Sequence, residues 1–353
     1  MIHESFTCIL YPEFCFLIRA HSCKFVAKYV YKIRNRKETV IATHPAPSKI
    51  MNLEEAVSIV RDGDKVALGG ALSLREPMAI IREIIRQDKR DLHLIGNAHG
   101  IDVDMLCGAG CVGAAEVTYV GFEFDFGIAL NYRKVCESGK VKVRENNCVT
   151  LINQLRAAAF GLPFVAQSGF RGTDVLKLHP EFKEIESPFN GEKVVLAPPL
   201  KPDVALIHAQ YADTLGNVKI EEPLTSDIIL ARASEKVIVS AEKVVSPEEM
   251  RSLKPNIHYF EVTVVAETPY GAHPTNCYPN YAYDREHMAE YVNATEKGLE
   301  KFKKEYLDKY VYDVTQEEYV RLIGGEGKLK KLVGWKSSMT AWREIFSVGE
   351  KGR

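Results

Sequence analysis

The sequence predicts an α/β fold: a mostly parallel sheet flanked by helices on both faces, with further helices at the C-terminal end. Three observations predict it. Short unbroken Val/Ile/Leu runs recur between residues 65 and 267, stretches with helical spacing separate them, and the joints carry glycines or N-capping residues. Strands covered on both faces read as continuous apolar runs rather than as alternation, and helices between them supply the crossovers that parallel pairing requires.

Taken in order, NLEEAVSIVRDGD predicts a helix, with Asn52 as N-cap, Glu54 and Glu55 in the first turn and Gly63 ending it. KVALGG is a short buried strand. REPMAIIREIIRQDK follows with Met78, Ile81, Ile84 and Ile85 at helical spacing, and DLHLIGNA is a second strand leading into a polar loop. EVTYVG, VTLINQLRAAAFG, DVALIHA, SDIILARASE, KVIVSAE, the helix opened by SPEEM, and FEVTVVAE continue the alternation to residue 267. TPYGAHPTNCYPNYAYD, rich in Pro, Tyr and Gly, is expected to be an ordered loop crossing a surface. One or two charged amphipathic helices follow from DREHMAEY, and another in TQEEYVRLIGGEG is capped by Gly324 and Gly325.

Composition narrows the function. The chain has 353 residues, 46% hydrophobic and 26% charged, with a formal charge of -1, so there is no basic field to attract nucleic acid. No run approaches the roughly 18 apolar residues of a membrane helix, which leads to the expectation of a cytoplasmic enzyme or binding protein. Eight cysteines, at 8, 15, 23, 107, 111, 136, 148 and 277, form no Cys-x-x-Cys pair and are expected as buried or free thiols with no metal site. Residues 1–50 carry eight Lys or Arg against three Glu, a net +5, leaving -6 for the remainder. They are expected to be an atypical N-terminal extension arising from an upstream start, with Met51 the natural one. The domain proper is then 51–325, with a tail over 326–353.

Three stretches have the residue types for chemistry. DVALIHAQYADTLGNV is an apolar strand predicted to end at His208 and to turn polar at Gln210, Asp213 and Asn217. In an open parallel sheet, ligands collect at such carboxyl ends, although Gly216-Asn217 is equally a simple turn and His208 reads better as a structural residue than as a catalyst. Gly69 and Gly70 stand between a strand and a helix, where backbone can approach a phosphate or a thioester carbonyl. The pattern is not GxGxxG, so a dinucleotide site is unsupported, and a tight turn without a ligand is the alternative. RENNCVTLINQLRAAAFGLPFVAQSGFRGTD places a helix with almost no side-chain bulk at Ala157, Ala158, Ala159 and Gly161 between two polar loops, Glu145–Asn147 and Gln167–Thr173. That suits a narrow crevice for a long ligand, or a close-packed helix pair.

ALGGALSLREPMAIIREI, DLHLIGNAHG, ENNCVTLINQLRAAAFGLPFVAQSGFRGTD, ESPFNGEKVV, PDVALIHAQYADTLGNV and PYGAHP together resemble the alpha subunit of the family I CoA-transferases, in the glutaconate CoA-transferase branch. The likeness runs from about Met51 to 320. It implies an enzyme that moves CoA from an acyl-CoA to a carboxylic acid through a glutamate nucleophile belonging to a beta subunit. Coenzyme A then enters as part of the substrate, and no cofactor is tightly bound. The Glu-x-Gly instances here, Glu137-Ser138-Gly139 and Glu296-Lys297-Gly298, lack a Gly-rich continuation and are not assigned that role.

The resemblance further implies an alpha-side wall for substrate and CoA made by Gly69, Gly70, Ser73, the loop at Asn97 and His99, Asn146, Gln167, Ser168 and Arg171, the last pairing either a substrate carboxylate or a surface acid. Related transferases place a glutamine oxyanion donor just before the Ala-rich helix. Asn146, Asn147 and Cys148 stand there in this chain, with Asn147 the candidate donor. In an alternative implied by the same branch, the chain is part of a CoA-ester ring-cleaving hydrolase with Glu145 as acid or base; Glu145 also reads as a helix-capping carboxylate. A third alternative is a non-catalytic metabolite-binding module.

Overall fold

The computed structural model describes residues 47–332, residue 222 excepted. The expectation for an upstream start therefore lies outside the described residues, apart from the last few before Met51. Lys49 and Ile50 run beside the last strand, Met51 and Val265 donating to the carbonyls of Val265 and Lys49, each at 2.9 Å. At the other end of the described residues, the helix Gly325–Leu332 buries Leu329, and Ala282 donates to the Leu332 carbonyl at 2.9 Å.

The central sheet contains β1 (Lys65–Leu68), β2 (Leu92–His99), β3 (Val112–Val120), β4 (Lys142–Val143), β8 (Val204–Asp213), β10 (Lys236–Val245) and β11 (Val264–Glu267), in the order β11-β10-β8-β1-β2-β3-β4. Every pairing along that path is parallel, and only the short β9 (Val218–Lys219), which turns back on the end of β8, is antiparallel. This is the α/β class that the apolar runs predict. From β1 the chain builds outward through β2, β3 and β4, then returns to lay β8, β10 and β11 on the other side. The reversal between β1 and β8 opens a crevice at their carboxyl ends.

Two hydrophobic cores follow from the two faces of the strands. Val66, Leu68, Leu92, Leu94, Val204, Leu206 and Ile238 point into one, with the helices Met78–Arg86 and Ile101–Ala109. Ala67, Ile95, Ala205, Ile207, Val237 and Val239 point into the other, with Leu151, Leu155 and Leu230. Successive residues of one strand alternate between the two, as a period of two requires. The C-terminal helices close the first core with Tyr291, Phe302, Tyr306 and Tyr319, and Arg82 lies over the Tyr319 ring at 3.6 Å. The loop after residue 268 is ordered but is not a surface crossing: Ala272, His273, Cys277 and Tyr281 are buried.

Two features depart from expectation. β8 does not stop at His208 but runs on to Asp213, because each polar residue has a partner in the sheet or loops. His208 Nδ1 meets Ser240 Oγ at 2.8 Å and its Nε2 meets Glu242 Oε1 at 2.7 Å, while the Gln210 amide bonds Glu221 N and the Tyr278 carbonyl. A second sheet, unexpected from the sequence, is antiparallel in the order β5-β7-β6, from β5 (Val165–Gln167), β6 (Lys183–Glu186) and β7 (Lys193–Ala197). Among the described residues no helix is long and apolar enough to cross a membrane.

One buried acid makes stability depend on pH. Asp104 has no solvent exposure and accepts from Tyr132 N at 2.8 Å and Tyr291 Oη at 2.6 Å; burial pushes its carboxyl up to about 6. A folded-state pKa above the unfolded one gives stability that is complete below about pH 4 and lost as pH rises through about 6, by up to about 3 kcal/mol. Asp104→Asn should remove that loss. Urea midpoints of parent and variant, compared at pH 4.5 and 7.5, should shift in favour of the variant at the higher pH; a pH-independent difference would contradict this.

Candidate active site

The crevice floor is built by the turn after β1. Gly69 donates to the Leu206 carbonyl at 2.8 Å, and a Cβ on it would sit 2.7 Å from Asp227 Oδ1. Gly70 has φ +76°, reached without strain only by glycine, and donates to Asp227 Oδ1 at 2.9 Å. Asp227 is fully buried and also accepts from Thr225 Oγ1 at 2.6 Å and Arg75 Nη2 at 3.1 Å. Arg75 in turn bonds the carbonyls of His208 and Pro223. Burial works to raise the Asp227 carboxyl, but the Arg75 charge and the hydrogen bonds from Thr225 and Gly70 outweigh it and hold it below the usual range. Gly69 thus makes room for a carboxylate, Gly70 for the backbone of Leu74 and Arg75, and the amides of both are spent within the protein.

Above this floor lies a cleft of about 450 Å³ whose walls include Ala71, Asn97, Ile152, Arg156, Ser226 and Ile229. It opens at the seam where the helix Cys148–Ala159 packs on the helix Asp227–Ala233. The small residues serve that close packing, with Ala158 and Ala159 against the second core. Asn97 keeps its carbonyl side on Thr118 Oγ1 at 3.0 Å, and Thr118 also lies 3.3 Å from Cys148 Sγ. Arg156 is exposed, its guanidinium bonded only to Asn153 Oδ1 among the described residues.

The Glu145–Asn147 loop stands at the helix N-terminus. Asn147, not Glu145, is the cap: its Oδ1 accepts from Thr150 N at 2.8 Å, which leaves its NH2 group without a partner among the described residues. Asn146 is buried, giving its NH2 to Glu116 Oε1 at 2.8 Å and Gln154 Oε1 at 3.0 Å, and accepting from Asn147 N. The Glu145 side chain is exposed, with no hydrogen bond or ion pair through its carboxylate among the described residues, while its carbonyl accepts from His179 Nε2.

The remaining candidates are dispersed. Gln167 is buried and ties β5 to the helix, bonding Thr150 Oγ1 at 2.9 Å and Asn153 Nδ2 at 3.2 Å. Ser168 is exposed on the loop beyond it. Arg171 donates to the Lys193 carbonyl at 3.0 Å and lies 4.0 Å from Glu192, away from the cleft walls. Ser73 gives its carbonyl to Asn276 and lines a separate small cavity. His99 is fully buried with Nδ1 2.8 Å from Asp102, beside Glu76, whose carboxyl burial and the Asp102 charge push well above its usual range. This cluster, and His208 with Glu242 and Cys277, bring metal-type ligand atoms within 4.8 Å of one another. In both the carboxylates already accept backbone N–H groups, from Gly100 and Asp102 and from Tyr270 and Gly271.

Sequence reading missed Arg156, Thr225, Asp227 and Glu116. The signal for Arg156 was its i+4 spacing from Ile152 on the same helix face; for Glu116, a charge inside a buried strand that has to be paired. Asp227→Asn should leave the Arg75 guanidinium buried without a counter-charge and cost about 3–5 kcal/mol, read as a fall in the thermal midpoint. Asp227→Asn with a midpoint equal to the parent's would show that the pair does not hold the turn.

Comparison with known proteins places this geometry. Residues 50–267 match the Coenzyme A transferase family model. An uncharacterized protein of Archaeoglobus fulgidus is 41% identical over 292 residues, covering 80% of this chain but only 64% of that protein, so the chain spans less than two thirds of this relative's length. A glutaconate CoA-transferase subunit from Acidaminococcus fermentans is 36% identical over 78% of this chain and 92% of its own. The crystal structure of that enzyme superposes with a TM-score of 0.77 at 34% identity, covering 83% of this chain and 99% of the matched one. A cholesterol ring-cleaving hydrolase IpdA subunit of Rhodococcus jostii is 31% identical over 73% of this chain and 92% of its own. With the parallel sheet, the cleft at its switch point and these matches in agreement, the chain belongs to the coenzyme A transferase family, as an alpha-type chain of the glutaconate branch.

Proposed function

We propose that this chain is the alpha half of a two-chain CoA-transferase, holding acyl-CoA and a carboxylic acid in the cleft while a beta-type chain supplies the nucleophilic glutamate. The observation that carries this is the make-up of the cleft: donors from Asn97, Ser226 and Arg156, isoleucine walls, and, among the described residues, no Asp or Glu in its lining. Transfer requires a carboxylate oxygen to attack the thioester carbon, expelling CoA thiolate and leaving an anhydride, which the thiolate then reopens to an enzyme thioester. Among the described residues, none of those lining this cleft supplies that carboxylate. Phe160, Leu162 and Phe164, 69%, 47% and 49% exposed just beyond the helix Cys148–Ala159, offer apolar surface for the chain that brings it. The relative from Acidaminococcus fermentans, itself one subunit of its transferase, supports the same arrangement.

In this reading the free NH2 of Asn147 faces the oxyanion, and the guanidinium that meets a substrate anion is Arg156 rather than Arg171. A second reading rests on the unengaged Glu145 carboxylate: a hydrolase in which it moves a proton, as the likeness to the ring-cleaving hydrolase chain suggests.

Coexpression with the beta-type chain, then acyl-CoA with borohydride or hydroxylamine, tests the two. Modification of a beta-chain glutamate, with the isolated alpha chain inert and Glu145→Gln still transferring, is expected. Free CoA released without modification, and abolished by Glu145→Gln, would establish hydrolysis instead; label on a glutamate of this chain would overturn the two-chain proposal. In the same complex Arg156→Ala should raise KM for the acid substrate by roughly 10–100-fold, the value of a charge-assisted hydrogen bond, with Arg171→Ala within about twofold of the parent. The reverse ranking would return the role to Arg171.

A further inference from the structure

The side chains behind the Glu145–Asn147 loop form a mounting that the transfer chemistry does not itself use. Glu116 stands in the middle of β3, paired across from Ile95, and is 2% exposed. Its two oxygens are divided between the residues on either side of Glu145: Oε2 accepts from Arg144 Nε at 3.1 Å, and Oε1 accepts from Asn146 Nδ2 at 2.8 Å. Each contact continues outward. Arg144 also donates to Glu181, and its backbone N–H donates to the Ala115 carbonyl at 2.8 Å. Asn146 Oδ1 accepts from Asn147 N at 2.8 Å, and Asn147 then caps the helix. On the other side His179, stacked on Phe182 at 4.5 Å between ring centroids, donates to the Glu145 carbonyl.

We infer that Glu116 is a positioning residue: through Arg144 and Asn146 it fixes the backbone on which Glu145 and Asn147 meet the substrate. The inference rests on the proposed role of that loop. A carboxylate is the side chain the position requires, since both neighbours are donors and only an acceptor at each oxygen satisfies both. The buried charge is balanced by Arg144 and held by a neutral amide, so the sheet is the rigid member and the loop the part held to it. His93, on β2, has its Nε2 3.8 Å from Glu116 Oε2, beyond hydrogen-bond reach, and does not compete for the oxygen.

Glu116→Gln sets an NH2 group against one of the two donors while conserving shape. In the reconstituted two-chain enzyme it should lower kcat by roughly tenfold to a hundredfold, the cost of misplacing a catalytic group by about an ångström, and leave KM for acyl-CoA within about threefold. The reading that separates positioning from mere support is a double-mutant cycle in kcat with Asn147→Ala. If Glu116 acts through Asn147, the double variant loses no more than Asn147→Ala alone. Losses that multiply would overturn the inference, as would parental kcat in Glu116→Gln when Asn147→Ala is impaired. Parental kcat in Asn147→Ala would instead strike the loop's proposed role, and the inference with it. Should Glu116→Gln fail to assemble, Asn146→Ala cuts the same link while leaving Glu116 on Arg144, and enters the same cycle.

Discussion

A carboxylate with no access to water needs a donor at each oxygen, and Asp227 takes three donors from two segments: Gly70 and Arg75 in the turn after β1, and Thr225 on the approach to its own helix. Those segments lie on the two sides of the sheet's reversal. Tying them together fixes how far the helix Asp227–Ala233 stands from β1, and so the width of the cleft that opens beside it. Arg75 extends the tie to the carbonyl of His208, inside β8. A buried ion pair is seldom a net gain over apolar packing; what this one supplies is a defined geometry where two halves of a sheet part company. Glycine at 69 follows from the same constraint, because any side chain there would occupy the space of the carboxylate.

The central sheet was legible because burial on both faces writes itself as apolar runs, in VALGG, ALIHA and VIVSA alike. The antiparallel sheet was not, for the opposite reason. Lys183–Glu186 is exposed at every position, and β5 has three residues, so neither carries an apolar run or a sustained alternation. His208 misled as a strand terminus because its polarity is neutralised by Ser240 and Glu242 on β10, which register brings opposite and which no local spacing reveals. The candidate site was legible as stretches and not as roles. The helix Cys148–Ala159 lends Ile152 and Arg156 to the cleft, yet Asn146 and Gln167, read as contacts for a ligand, are buried struts. Arg156 and Arg171 look alike in sequence. They are told apart only by where a helix face and a hairpin end up.

The wall's shortage of carboxylates has an electrostatic logic. The reaction develops negative charge on a carbonyl oxygen and handles two anions, a thiolate and a free acid. Fixed acids lining the cleft would oppose each of these, and if the proposed second chain closes the cleft off from water the opposition would grow. The acids near the loop are therefore kept behind it: Glu116 is neutralised by Arg144, and Glu181 lies on the far side of the same guanidinium. Glu145 is the exception, an exposed carboxylate on that loop, which is why the choice between the two proposed readings, transfer and hydrolysis, turns on it.

In the proposed reading, an asparagine at 147 serves as the donor better than a glutamine would. A side chain at a helix N-cap has to reach back one turn to an amide, and asparagine does so with its Oδ1 while its NH2 is forced to point the other way, out of the helix. One residue then satisfies an orphan N–H of the helix and presents a donor of fixed direction. Glutamine is a methylene longer and rarely caps, so its donor would be aimed by other contacts. Because the cap and the donor are two ends of one planar amide, whatever holds Asn147 N also sets the donor, and that hold runs through Asn146 to the middle of β3. On the proposed role of Asn147, the rigidity of the sheet is in this way passed by two hydrogen bonds to its backbone, and an asparagine in place of a glutamine changes how the donor is aimed rather than which group does the donating.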